Sequence, residues 1–177
     1  MSWMTAVRIE PWSDHDLPLL ERLLGDPAMM SHLGGPESPA KIAGRHARYL
    51  AHAAAEPQFR VVDGVSGEAV GWVGYWERRW RDADVYEVGW SVLPEFQGRG
   101  IASAATGQAI AHAAAARGRR FMHAFPASAN GPSNAICRKL GFTFLGECRF
   151  EFPPRRFMSC NDWRLDLRGA SDHEEPR

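Results

Sequence analysis

Six consecutive residues, Gln97-Gly-Arg-Gly-Ile-Ala102, carry the clearest chemistry in this chain. They separate an apolar run, Val85–Leu93, whose composition predicts a strand, from an alanine-rich run, Ala102–Ala116, that predicts a helix. A glycine turn at such a junction leaves the first helical N–H groups without partners. The helix dipole adds partial positive charge at the same place. Together they make a site for a phosphate or pyrophosphate. Gly98 and Gly100 let the backbone approach the anion closely, and Ala102 keeps the first helical turn slim. Arg99 offers a charged contact to a phosphate, and Gln97 offers an amide to the loop or to the ligand.

Composition bounds what else the chain can do. With 177 residues, 45% hydrophobic and 24% charged, it fits one globular domain. We expect that domain to span residues 1–168, followed by a polar tail, Gly169–Arg177. Arginine and lysine number 21, as do aspartate and glutamate, so the formal net charge is zero. The basic residues form only short clusters, such as Arg78-Arg79-Trp80-Arg81 and Arg117-Gly-Arg-Arg120. That balance argues against nucleic acid as a partner. No apolar stretch approaches the ~20 residues of a membrane helix, and the first ten residues lack the order of a secretory leader. Cys137, Cys148 and Cys160 are an odd set without paired spacing, as expected for reduced thiols in the cytoplasm. No Cys-x-x-Cys or His-Glu-x-x-His spacing occurs, so no metal is expected.

The elements that must position the glycine turn follow from composition. A strand at Val7–Pro11 is followed by helices at Leu17–Leu24 and Ala40–Ala55, joined by a proline- and glycine-bearing loop, Asp26–Pro39. Strands at Phe59–Asp63 and Ala69–Glu77 read as a hairpin. Arg78–Asp84 reads as a polar turn into Val85–Leu93. After the long helix come a strand at Arg120–Phe125, a helix at Asn130–Leu140 and two strands, Phe142–Phe152 and Trp163–Leu167. Gly141 suits a left-handed helix end. The order lacks regular strand–helix alternation, and the sequence shows no internal repeat. It predicts an α/β fold with a mixed central sheet and helices packed on its faces.

Val92-Leu-Pro-Glu-Phe-Gln-Gly-Arg-Gly-Ile-Ala102 resembles the acetyl-coenzyme A motif of the GNAT superfamily of N-acetyltransferases, with Gln97, Gly100 and Ala102 at its marked places. A second block, Asn130-Gly-Pro-Ser133-Asn134 … Lys139-Leu-Gly-Phe142, is similar to the family's later segment. One helix and one strand separate the blocks, as they should. The pattern is closest to the branch that acetylates ribosomal-protein N-termini (RimJ/RimL-like), which Asp26-Pro-Ala-Met-Met30 and Ser133-Asn134 also resemble. The resemblance implies a mostly antiparallel, splayed sheet of six to seven strands. It implies acetyl-coenzyme A held by Val92, Leu93, Gln97, Gly98, Arg99, Gly100, Ile101, Ala102, Asn130 and Asn134. Pantetheine would pair with the free backbone edge of Val92 and Leu93. The N–H of Trp90 or Ser91 would meet the thioester carbonyl and stabilise the oxyanion. Gly89 fits a bulge or a close approach there.

The expected activity is acetyl transfer to a primary amine, a small molecule or a protein N-terminus, by direct attack in a ternary complex; a homodimer is left open. An amine needs a base, because a lysine side chain titrates at ~10.4 and an α-amino group at ~7.7–8.0. Glu87 is the first candidate, directly or through water; His123 and His32 follow. Many relatives carry a Tyr as general acid five residues before the Phe of the second block, and here that position is Cys137, either an acid or a small core residue. Asn134 would contact pantetheine. Trp72, Trp76 and Trp90 form either an aromatic wall for the acceptor or part of the core. The alternatives are a non-catalytic acyl-coenzyme A sensor or partner-binding module and, less well matched, a nucleotide-binding regulatory domain.

Overall fold

A computed structural model of the chain describes residues 6–152 and 154–169; the expected tail lies outside them from Ala170 on. One seven-stranded sheet runs through the molecule in the order β1-β2-β3-β4-β5-β7-β6. Its strands are β1 (Arg8–Pro11), β2 (Gln58–Val62), β3 (Ala69–Trp80), β4 (Ala83–Val92), β5 (Phe121–Ala124), β6 (Thr143–Glu151) and β7 (Phe157–Asp166). Its helices are α1 (Leu17–Leu24), α2 (Pro39–Ala51), α3 (Ile101–Ala116) and α4 (Gly131–Lys139). Every neighbouring pair is antiparallel except β4 and β5. The mixed, mostly antiparallel sheet matches the expected fold class.

The two faces bury different cores. On one face α3 lies flush against the sheet, because Ala105, Ala109 and Ala113 repeat every four residues and are fully buried. Tyr75, Tyr86, Val88, Met122 and Trp163 join that core. On the other face α1 and α2 cover the β1–β3 half, packing Leu20, Leu23, Ile42 and Tyr49 against Trp12 and Leu93. Cross-strand partners share a face. The register therefore puts Trp72, Trp76, Glu87, Gly89 and Ser91 on this second face, and Trp90, the partner of Val73, on the α3 face. An aromatic wall of three indoles is thus corrected to two.

Trp72 and Trp76 stack at 6.3 Å, and Tyr49 continues the column at 5.9 Å from Trp72. Their indole N–H groups donate to Gln58 Oε1 and Glu87 Oε2. The column fits because β4 carries Gly89 beneath it: a Cβ there would lie 3.0 Å from Trp72 and 3.1 Å from Trp76. The β3–β4 register is unbroken at this point, so the glycine serves close approach rather than a bulge.

The polar stretch Arg78–Asp84 is not a long turn. Strand alternation continues through Trp76, Arg78 and Trp80, and the turn narrows to Arg81 and Asp82, both with positive φ (45° and 63°). Likewise β7 begins at Phe157 rather than Trp163, turning the expected connector into strand. A Gly89→Leu substitution should push the indole column off the sheet. Overpacking of this kind costs about 1–3 kcal/mol, which thermal unfolding should register as a drop of roughly 2–12 °C; an unchanged midpoint would contradict the packing.

Candidate active site

The parallel β4–β5 ladder contains only two residue pairs, Tyr86 with Met122 and Glu87 with His123. Beyond them β4 runs on to Val92, while β5 ends at Ala124, where it pairs with Trp163 of β7. The strands therefore splay, and Glu87 and His123 stand at the vertex of the V.

Backbone parity shows which groups face the opening. Leu93 N–H donates to Val70 O on β3 at 2.9 Å. Odd-numbered residues at this end of β4 therefore turn their backbone groups to β3, and Val88, Trp90 and Val92 turn theirs to the gap. Gln97 spans part of it: its Nε2 donates to Val92 O at 2.9 Å. So Gln97 uses its amide on the loop, and the N–H groups of Trp90 and Val92 face the cleft. Ser91 points the other way. Leu93 is corrected as a backbone ligand, because its N–H is taken by Val70 and its carbonyl accepts from Phe96 N–H.

The cleft leads to the glycine turn. Gly98 and Gly100 have φ of 74° and 76°, a region that side chains strain, and a Cβ at either would meet nothing within 4 Å. Gly100 is the N-cap of α3, with no side-chain cap and no acidic residue in the first turn. The first intrahelical donor is Ala104 N–H, to Gly100 O, which leaves the N–H groups of Ile101, Ala102 and Ser103 for an anion. The Ile101 side chain is buried in the core. Arg99 sits 3.4 Å from the buried Asp63. Burial pushes the Asp63 carboxyl up, but Ser66, the Val65 and Ser66 N–H groups and Arg99 outweigh it, so the carboxyl titrates below its ordinary value. Asp63 thus fixes Arg99 beside the turn.

Three expected residues have other tasks. Asn134 donates to Ala127 O (3.0 Å) and Asn130 O (2.7 Å) and accepts from Asn161 Nδ2 (2.8 Å) and Trp163 Nε1 (2.9 Å). An amide has two donors and two lone pairs, so nothing remains for pantetheine; Asn134 tethers the β5–α4 loop to β7. Asn130 caps α4, its Oδ1 accepting from Ser133 N–H. Cys137 has no exposed surface and packs in the α3-face core, and burial pushes its thiol up to about 12. That environment suits the core-residue reading rather than an acid.

The vertex carries charge. Glu87 Oε2 accepts from Arg78 at 2.5 Å and from Trp76 Nε1 at 3.2 Å. Burial pushes the Glu87 carboxyl up, and Arg78, Trp76 and His123 only partly pull it back. His123 Nδ1 lies 2.6 Å from Asp162 Oδ1, both groups buried. Arg78 had read as turn, although Trp76, Arg78 and Trp80 alternate in the sequence as one strand face does. Asp162 had fallen in a connector, and no local pattern marked its partner. His32 lies apart, lining a cavity of about 230 Å³ between the α1–α2 connection and the β6–β7 hairpin, with Arg156 and Met158 opposite. Among the described residues no His, Cys, Asp and Glu cluster could hold a metal, and no helix is long and apolar enough to cross a membrane.

Residues 6–143 match a family model described as an acetyltransferase (GNAT) domain. No protein of curated function matches the chain in sequence. Among solved structures, the chain is similar to spermidine N-acetyltransferase from Vibrio cholerae in complex with CoA and spermine (19% identity, 92% and 96% of the two chains, TM-score 0.76). It is similar to yncA, a candidate acetyltransferase from Salmonella typhimurium with its cofactor acetyl-CoA (20%, 97% and 98%, 0.72). It is also similar to ribosomal-protein-S5-alanine acetyltransferase from Vibrio fischeri (20%, 96% and 94%, 0.71).

Replacing Asn134 by Ala should strand Trp163 Nε1 and the Asn161 amide. The loss should be about 1–3 kcal/mol of stability, seen as a lower thermal midpoint. Acetyl-coenzyme A affinity of the folded variant, measured by calorimetry, should stay within about twofold of wild type if the role is structural.

Proposed function

The chain belongs to the GNAT acetyltransferase family, and we propose that it transfers the acetyl group of acetyl-coenzyme A to a primary amine that attacks directly in a ternary complex. The observation that carries this reading is the unpaired β4 edge ending at an uncapped, acid-free helix N-terminus. The pyrophosphate would lie on the N–H groups of Gly98–Ser103, with Arg99 at its side. Pantetheine would run along β4 and bond the Val92 N–H. The Trp90 N–H would then receive the thioester oxygen as it becomes an oxyanion. The protein would supply position and a preorganised donor, and the acceptor's proton would leave at the vertex beside Glu87 and His123.

The acceptor would enter over the half of the second face that α1 and α2 leave uncovered, floored by Trp76, Trp80, Phe125 and Phe150. Glu87 is already ion-paired with Arg78, and Asp162 is held by His123 and Trp80. Arg81 stands 4.0 Å from Asp162. This balance supports an acceptor with a single amine, such as an α-amino group, over a polycation. The resemblance of the Asp26–Met30 and Ser133-Asn134 segments to the ribosomal-protein branch supports the same class.

Acetyl-coenzyme A at about 100 times its Kd should stabilise the protein by ~2.7 kcal/mol, and an amine panel should elicit thiol release. Gly100→Trp fills the cradle. Its midpoint without ligand should fall somewhat, because L residues strain at this φ, but the rise with acetyl-coenzyme A should vanish. An undiminished rise would remove the turn from the binding site, and absence of amine-dependent thiol release from wild type would favour the sensor reading.

A further inference from the structure

The vertex holds an imidazole set between two carboxylates. His123 and Glu87 are cross-strand partners with side chains on one face, and neighbouring strands lie ~4.8 Å apart. His123 Nδ1 is bound to Asp162 Oδ1 at 2.6 Å. Asp162 is itself fixed, because its Oδ2 accepts from Trp80 Nε1 at 3.0 Å and lies 4.0 Å from Arg81. A carboxylate on Nδ1 makes that nitrogen the donor and leaves the Nε2 lone pair as the acceptor. Among the described residues Nε2 has no hydrogen-bond partner, and it is not one of the buried unpartnered atoms, which are Arg78 Nε, Thr106 Oγ1 and Arg119 Nε.

We propose that His123 takes the acceptor's proton, and that Asp162, which orients its ring, and Glu87, which faces the imidazolium, are positioning residues. This rests on the acetyl-transfer reading above. The other groups around His123 are Arg78 on β3, which neutralises Glu87, Arg81 beyond Asp162, Arg164 opposite on β7, and the thiols of Cys148 and Cys160. The Arg164 guanidinium lies over the Phe121 ring. Three strand residues, ~10 Å, separate the vertex from Trp90, a span that the imidazole and the attacking nitrogen fill directly or through one water. One ammonium proton passes to Nε2. The nitrogen lone pair forms the C–N bond, and the tetrahedral intermediate breaks its C–S bond. The departing sulfur takes the second nitrogen proton, and the imidazolium returns its own to water.

The test is kcat/KM against pH, with acetyl-coenzyme A and three amine probes: spermidine, lysine and an alanine-initiated peptide. His123→Gln should lower kcat by about 10²-fold or more and abolish the acid limb, with acetyl-coenzyme A affinity retained. Asp162→Asn should cost about tenfold or more and move the acid limb to lower pH, because the imidazolium loses its carboxylate; Asp162→Glu should restore part of both. Glu87→Gln should shift the limb the same way without removing it. A limb that survives His123→Gln and disappears in Glu87→Gln overturns the inference while leaving acetyl transfer standing. No turnover by wild type with any probe overturns acetyl transfer itself, and the inference with it. Should a variant fail to fold, ¹⁵N imidazole shifts of wild type decide: a proton on Nδ1 with Nε2 bare at high pH supports the inference, and the opposite tautomer overturns it.

Discussion

The site depends on a ladder that stops early. A parallel pair of strands in the middle of a sheet would ordinarily stay paired along its length, since every buried backbone group needs a partner. Here pairing ends after Glu87 and His123, leaving the outer backbone of β4 open inside the molecule. Something must hold the strands apart. Ten register pairs bind β4 to β3, up to Val92 with Gly71, while all four residues of β5 pair with β7. Each strand is committed to its other neighbour, and the gap is what remains. An internal edge so exposed is a template for an extended ligand, which is why a pantetheine arm suits it better than a compact nucleotide.

Small polar devices keep the gap in shape. Gln97 closes its far end by taking the Val92 carbonyl, so that the loop proposed to cradle the anion is referenced to the strand along which the thioester would lie. Asn134 closes the opposite side, tying Ala127 and Asn130 to Asn161 and Trp163. Neither needs to touch the ligand. Both are polar side chains committed to backbone or to buried donors, where an unmade bond is expensive. The two sequence blocks thus divide their labour: the first contains the glycine turn proposed as the cradle, and the second mainly fixes the wall opposite it.

Much of this was legible from residue order. The Gln97–Ala102 turn, the helix after it and the strand before it followed from spacing and composition, and the family from the resemblance of two sequence blocks. What escaped depended on facing and on partners distant in sequence. Trp90 was grouped with Trp72 and Trp76 although strand parity, once the register is known, sends it to the α3 face. Arg78 looked like turn because a charged pair follows Glu77, yet Arg78 is drawn into the sheet by its bond to Glu87 and by the Phe150 ring 4.3 Å away. Leu93 looked like a pantetheine partner by position, but the direction of a single N–H excludes it. Asp162 is 39 residues from His123, and no local period announces a dyad of that separation.

In the proposed reaction the arrangement would also sort two substrates by charge along one strand. At the downstream end, an α3 N-terminus without acidic residues in its first turn favours an anion. At the upstream end, Glu87 and Asp162 place two carboxylates beside one imidazole, favouring a group that arrives protonated. Five residues of β4, about 16 Å, lie between Glu87 and Val92, longer than the ~8–10 Å over which salt screens exposed charges. Each end can therefore select its own ligand without cancelling the other. The carboxylates are buried, so their influence on the acceptor is screened less than that of surface charges. Arg78 limits it, since an unpaired Glu87 at this depth would take up a proton itself rather than support one on its neighbour. The ion pair across β3 and β4 then favours the charged form of Glu87 against its burial, and that charge would support the proposed imidazolium.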